Sequence, residues 1–262
     1  MLELTVIGNQ GPYAGPGGVC SGYLFSARST AVLVDSGPGV MSGLQRQIDF
    51  RGLSGIIISH YHPDHCSDFL TMRYAFHHAN SCGQLPRPVP LLIPEPGWES
   101  FARDWVGQQY AELFDVDLIG DGRTVCLGDL RFEFRLMAHS VPSYAMLIRE
   151  ATAPGGGRAP VAYTSDTGPC EALDSLAAQA RTLLSEAGAG RAYSEGYGSP
   201  RPPSPGHLSP AEAGAIARAA GVDRLILTHL HPESRPREIE AAASEAMGAS
   251  AEVAQQGRRY AL

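Results

Sequence analysis

The apolar segment Leu53-Ser54-Gly55-Ile56-Ile57-Ile58 opens directly onto Ser59-His60-Tyr61-His62-Pro63-Asp64-His65. Its Ile-rich half reads as a buried strand. A rigid strand therefore delivers three imidazoles and a carboxylate into one loop at its C-terminal end. Such donors suit Zn²⁺ and its first-row neighbours. Neighbouring residues point in different directions, so four donors this close do not all serve one tetrahedral ion. Two adjacent ions sharing the loop is the simpler geometry. Further ligands must then sit at the ends of other strands, converging on one edge of a sheet.

Three later residues meet that requirement. His139 follows Leu130-Arg131-Phe132-Glu133-Phe134-Arg135-Leu136-Met137, whose alternation reads as a half-exposed strand. Asp166 follows Val161-Ala162-Tyr163-Thr164-Ser165 and precedes the turn signal Thr167-Gly168-Pro169. His229 follows the apolar stretch Leu225-Ile226-Leu227-Thr228. Upstream, Ala31-Val32-Leu33-Val34-Asp35-Ser36-Gly37 runs a strand into an Asp-x-Gly turn.

This order of elements resembles the metallo-β-lactamase superfamily, and the resemblance covers nearly the whole chain. It implies the α/β class, a four-layer αββα sandwich of two mixed β-sheets, in a single domain over residues 1–262. It also implies two divalent metal ions. His60, His62 and His139 would hold the first, Asp64, His65 and His229 the second, and Asp166 would bridge them. Asp35 would support the metal loops through hydrogen bonds. Zinc is the default for such a His-rich set, and Mn²⁺ or Fe would accept the same ligands. The implied enzyme is a metal-dependent hydrolase whose nucleophile is a bridging hydroxide, with Asp64 orienting the water or accepting its proton.

Within the superfamily the chain is most similar to the ribonuclease Z and small phosphodiesterase branch. His207-Leu208-Ser209-Pro210-Ala211-Glu212 carries that likeness. It implies that His207 acts at the scissile phosphate, and that a Glu after the preceding strand holds it. Glu195, in Ala192-Tyr193-Ser194-Glu195, takes that position, although Gly196 and Tyr197 depart from the branch's small-residue pair. Ribonuclease Z carries a long arm between its counterparts of His139 and Asp166, and residues 140–165 leave no room for one. The expected substrate is therefore a small phosphodiester, cyclic ones included. The alternative is a lactone, thioester or other carboxylic ester opened on the same site. A third reading is a metal-stabilised binding protein with a closed pocket. Redox chemistry of the di-iron type is disfavoured, because such relatives add a flavin-binding domain.

The net charge of −7 argues against a polyanionic nucleic acid as partner. The five Cys form no C-x-x-C pair and are odd in number, as expected of reduced thiols in a cytoplasmic protein. The chain starts Met1-Leu2-Glu3-Leu4-Thr5-Val6-Ile7, which reads as a strand rather than a signal peptide. No apolar stretch reaches membrane-spanning length. A small-molecule substrate and a homodimer are the expected partners.

Strands are expected at 3–8, 20–27, 31–36, 53–58, 90–94, 115–119, 123–127, 130–137, 143–149, 161–165, 190–194, 224–228 and 250–254. Helices are expected at 39–49, 66–79, 97–112, 170–185, 210–220 and 235–247. Ser209, Pro210 and Glu212 give the helix at 210 a capping-box start. The loop Gly11–Gly18 is expected as a hairpin connection or one wall of the site's mouth. Trp98, Phe101 and Trp105 recur at helical spacing and read as core. His77, His78 and His231 read as plain surface or loop residues.

Overall fold

The computed structural model describes residues 1–153, 157–189 and 206–262. Two seven-stranded sheets face each other. The first sheet contains β1 (Glu3–Gly8), β2 (Gly22–Ala27), β3 (Thr30–Val34), β4 (Gly55–Ile57), β5 (Val89–Pro94), β6 (Phe114–Ile119) and β14 (Arg259–Ala261), ordered β14-β1-β2-β3-β4-β5-β6. The second contains β7 (Thr124–Leu127), β8 (Leu130–Met137), β9 (Ser143–Glu150), β10 (Ala159–Tyr163), β11 (Ala180–Glu186), β12 (Arg224–Thr228) and β13 (Glu252–Val253), ordered β13-β12-β11-β10-β9-β8-β7. Each sheet is half antiparallel and half parallel. The parallel halves are β3-β4-β5-β6 and β10-β11-β12-β13.

Side chains alternate across each strand. In β3, Val32 and Val34 point into the layer between the sheets, with Tyr23, Phe25, Phe132, Phe134, Met146 and Ile148. Leu33 points the other way, onto the layer that holds α3 (Phe69–Ser81) through Phe69, Met72 and Phe76. On the far side, Leu147, Leu183 and Leu225 meet α5 (Glu171–Ala177), α6 (Pro210–Ala220) and α7 (Pro236–Met247). Helix, sheet, sheet and helix thus stack as four layers. Strands buried on both faces carry unbroken apolar runs such as Leu91–Ile93, as parallel strands do.

Several expected boundaries change. The helix expected at 170–185 ends at Ala177, and its second half is the central strand β11. Ala, Leu, Arg and Glu favour a helix there, but pairing on both sides, with β10 and β12, outweighs local preference. The helix expected at 97–112 is broken into α4 (Trp98–Phe101), a π-helical turn (Ala102–Val106) and a 3₁₀ segment (Gln108–Leu113). Phe101 is buried and Trp98 and Trp105 pack on the core, as the spacing predicts. The helix expected at 39–49 is only α1 (Val40–Leu44), and the one at 66–79 is α2 (Pro63–Cys66) followed by α3. Strand β14 was not foreseen. The strand expected at 190–194 lies outside the described residues. No helix among the described residues is long and apolar enough to cross a membrane.

Candidate metal centre

The carboxyl ends of parallel strands in both sheets open on one edge, the usual place for a site in mixed sheets. Asp35 follows β3, the 60–65 loop follows β4, His139 follows β8, Asp166 follows β10, and His229 follows β12. The turns there are strained: Asp35 (φ 63°), Ser165 (φ 51°) and His229 (φ 54°) all adopt left-handed backbone. Each such residue costs about 1–3 kcal/mol and persists only where its surroundings demand it.

Asp35 is the centre of the support. It is fully buried. Its Oδ1 accepts the Ser59 amide (2.8 Å). Its Oδ2 accepts the Ser59 hydroxyl (2.9 Å), His65 Nδ1–H (2.9 Å) and the Tyr163 hydroxyl (2.8 Å). These bonds fix tautomers. The Ser59 proton goes to Asp35, so Ser59 Oγ accepts from His60 Nδ1–H at 3.1 Å. His139 Nδ1–H donates to the Gly206 carbonyl at 2.8 Å. His60, His65 and His139 therefore turn their Nε2 lone pairs inward.

Those atoms converge on two clusters that share one carboxylate. His60, His62, His139 and Asp166 form the first, and Asp64, His65, Asp166 and His229 the second, with donor atoms in each within 4.8 Å of one another. In the first, His139 Nε2 lies 3.0 Å from His62 Nδ1, and His60 Nε2 3.6 Å from Asp166 Oδ2. In the second, His229 Nε2 lies 3.0 Å from Asp64 Oδ2 and 3.2 Å from Asp166 Oδ2. Donors about 2.1 Å from one tetrahedral ion stand about 3.4 Å apart, so both clusters have the right span. The seven residues expected as ligands are thus brought together, in the two sets that the resemblance implies.

A second observation fits a cation. His60 Nε2, His65 Nε2 and Asp166 Oδ1 are shielded from solvent yet make no hydrogen bond among the described residues. His65 Nε2 and Asp166 Oδ1 are 3.2 Å apart but misaligned for one. Orphaned buried polar atoms are costly, by about 1–3 kcal/mol each, unless something else binds them. Burial, then the neighbouring imidazoles, holds the His60 pKa well below its ordinary value. It is a neutral imidazole, the form that binds a metal. Around His65, burial opposes positive charge, but Asp166, Asp35 and Asp64 overcome it and push the pKa well up. That pocket demands positive charge, which a divalent cation supplies.

His207 stands beside the clusters, at the entry to α6. Ser209 caps this helix, with Glu212 completing the capping box. The His207 ring stacks on His229 (5.4 Å, 9°) and meets His139 edge-on. Its Nδ1 lies 3.0 Å from Glu186 Oε1. Glu186 is fully buried and also accepts the amides of Thr167 (3.0 Å) and Gly188 (2.7 Å). Burial works against a charged His207, but the bond and charge of Glu186 outweigh it and set the pKa at about 9. Glu195, expected to hold His207, lies outside the described residues, and the carboxylate observed at His207 is Glu186. Glu186 was missed because β11 was read as helix. The signal that would have found it is Leu183-Leu184-Ser185-Glu186-Ala187-Gly188, an apolar run ending in an acid and two small residues.

Cys66 is buried and free, with its thiol on the His62 carbonyl. His77 and His78 are exposed on α3. Gly11 backs onto His229, so the Gly11–Gly18 loop does form a wall of the site.

The Asp35 bonds give a test. Asp35→Ala should weaken metal binding by about 10–100-fold, the usual effect of losing an outer-shell partner. Competition with a chromogenic chelator would measure it, and an unchanged affinity would remove Asp35 from the support of the site.

Comparison with known proteins gives consistent matches. Residues 30–230 match the family described as beta-lactamase superfamily domain. The chain is 36% identical over 241 residues to the uncharacterized protein Rv1339 of Mycobacterium tuberculosis, covering 88% of this chain and 81% of that one. It is 28% identical over 230 residues to the probable metallo-hydrolase YhfI of Bacillus subtilis, covering 87% of each. The crystal structure of YhfI superposes with a TM-score of 0.86 over 99% of this chain and 98% of that one, at 25% identity. Ribonuclease Z of Chlamydia abortus is 27% identical over 270 residues, covering 84% of each chain.

Proposed function

The chain belongs to the metallo-β-lactamase superfamily, and from that membership we propose that it is a binuclear metal-dependent hydrolase of a small phosphodiester, cyclic ones included. The observation that carries the reading is the His207–Glu186 pair set against two His/Asp clusters that share Asp166. A carboxylate-held imidazole beside a cation site is a proton donor for a leaving oxygen. Hydrolysis of an unactivated diester is accelerated by such a donor at its poor leaving group.

His60, His62 and His139 would hold one cation, Asp64, His65 and His229 the other, and Asp166 both. Zinc is the first expectation for this donor set, and Mn²⁺ or Fe would fit it too. Such cations, when bound, supply Lewis acidity and lower the pKa of water toward neutrality. The chain's own residues do the rest. Asp64, whose carboxylate belongs to the second cluster, would orient the attacking water while serving as a ligand. His207 keeps Nδ1–H on Glu186, so its other ring N–H donates to the leaving oxygen. Glu186 has every oxygen committed and holds that ring in place.

The charge pattern supports a small substrate over a long polyanion. Tyr61 lies within the metal loop, and Tyr144 donates its amide to Ser59. Burial raises the pKa of both phenols; Cys66, then Tyr144 and Glu99, add to it at Tyr61, and Glu95 and Asp121 at Tyr144. Nucleic-acid affinity is dominated by basic contacts to phosphate, and a net charge of −7 supplies no basic excess for them. The match to ribonuclease Z supports phosphodiester chemistry rather than its substrate.

The test is metal analysis of the purified protein followed by a substrate panel. Bis(p-nitrophenyl) phosphate should turn over at least about tenfold faster in kcat/KM than p-nitrophenyl acetate, a lactone or a thioester. Faster turnover of a carboxylic ester, lactone or thioester would transfer the site to acyl chemistry.

A further inference from the structure

Behind the second cluster, two tyrosines cross the seam between the sheets. Tyr163 stands on β10, in the second sheet, and its hydroxyl donates to Asp35 Oδ2, past the end of β3 in the first (2.8 Å). Tyr23 stands on β2, in the first sheet, and its hydroxyl lies 2.7 Å from Oγ1 of Thr228, the last residue of β12 in the second. The two rings touch, with centroids 4.8 Å apart and planes tilted by 50°. Both are buried in the apolar layer that also holds Phe25, Phe134 and Met146. Hydroxyls in such a layer are costly unless bonded, and phenylalanine would fill the same space.

The two bonds lead to the same cation site. Asp35 Oδ2, which accepts from Tyr163, also accepts His65 Nδ1–H at 2.9 Å. Thr228 directly precedes His229, whose backbone is held at φ 54°. His65 belongs to the first sheet's loop and His229 to the second sheet, and both join Asp64 and Asp166 in the second cluster. Among the described residues Asp35 has four donors. The Ser59 amide, the Ser59 hydroxyl and His65 come from the loop after β4, and only Tyr163 reaches it from the opposite sheet. The first cluster leans on other groups: His139 on the Gly206 carbonyl, and His60 on the Ser59 hydroxyl.

We propose that Tyr23 and Tyr163 are positioning residues that set the spacing of His65 and His229 across the seam, and with it the affinity of the second cation. This rests on the binuclear reading above. Ligand distances in a metal site hold to within about 0.2 Å, so a small slip of one strand end against the other weakens the seat. Each tyrosine ties its own sheet to a support of the ligand on the other, and their ring contact keeps the two ties in register.

The experiment reads each cluster alone. His139→Ala disables the first and His229→Ala the second, and zinc affinity in each background is measured by competition with a chromogenic chelator. Added to His139→Ala, Tyr163→Phe should weaken zinc about tenfold, the lower end of the effect of an outer-shell partner. Added to His229→Ala, it should change the affinity by less than about twofold. Tyr23→Phe should show the same split in smaller measure. Val161→Ala, a cut into the same apolar layer from β10, should lower the melting temperature of the metal-free protein and leave both affinities within about twofold. Equal losses in the two backgrounds, no loss in either, or the same split from Val161→Ala would mean that the tyrosines merely pack the seam, and would overturn the proposal. If the unaltered protein binds a single zinc, the binuclear reading fails, and the tyrosines are judged on that ion. Loss of the ion in His229→Ala together with a tenfold weakening in Tyr163→Phe supports their role. An ion indifferent to either change overturns it.

Discussion

Asp166→Ala is expected to lose bound metal and to lower turnover by at least about 10³-fold, a loss that removal of one transition-state contact can already reach. Asp166 is the one carboxylate common to both clusters. It is 1% exposed. The imidazole nitrogens of His60, His65, His139, His207 and His229 all lie within 4.0 Å of its oxygens. Burial alone would raise its pKa, but His229 and His65 outweigh burial and hold it well below the usual carboxylate range. It is therefore an anion at any working pH. Alanine takes that anion from among five imidazoles and, on the binuclear reading proposed above, would take a ligand from both cations at once. Elemental analysis should fall from about two metal equivalents to below one. Asp166→Asn keeps the shape and removes the charge, and should fall between. A variant with wild-type metal content and rate would end the assignment of Asp166 as a shared ligand.

The second large effect belongs to His207. His207→Ala should lower turnover of a diester with an alkyl leaving group by about 10²–10⁴-fold, the range for loss of general acid catalysis. Metal content should stay at the wild-type level, because Nδ1 of this ring is hydrogen-bonded to Glu186 and His207 belongs to neither of the two clusters that share Asp166. The deficit should shrink for p-nitrophenolate, which leaves without a proton. The pH profile carries the sign. Glu186 raises the pKa of His207 to about 9, so the donating form prevails below that and is lost as pH rises through it. Cations bound nearby would pull the value down, placing the alkaline limb of kcat at or below about 9. Glu186→Gln removes the charge that raises it and should move the limb to lower pH. A profile unmoved by Glu186→Gln, with equal deficits for both leaving groups, would take His207 out of proton transfer.

The site was more legible in the sequence than the scaffold around it. Metal donors have few surrogates: His60-x-His62-x-Asp64-His65 after an Ile-rich strand, then His139, Asp166 and His229 each after a strand, leave little freedom in how they meet. Strands whose alternation or apolar run was unambiguous, such as β3, β8 and β12, fell within a residue or two of their expected bounds. β11 was hidden because its sequence favours a helix and only its partners β10 and β12 make it a strand. That one misreading concealed Glu186. The 97–112 region failed differently. Its aromatic spacing identified a buried face correctly, but Gly107 (φ 78°) and the π-helical turn before it break the helix that the spacing suggested.

The donors also divide by origin. His60, His62, Asp64 and His65 come from the first sheet, and His139, Asp166 and His229 from the second. Any ion seated here therefore bolts one half of the sandwich to the other across their seam. Resistance to heat then becomes a readout of free cation in the surroundings, gaining about 1.4 kcal/mol for each tenfold excess over the dissociation constant. Starvation for metal would loosen the molecule first at the mouth where substrate enters.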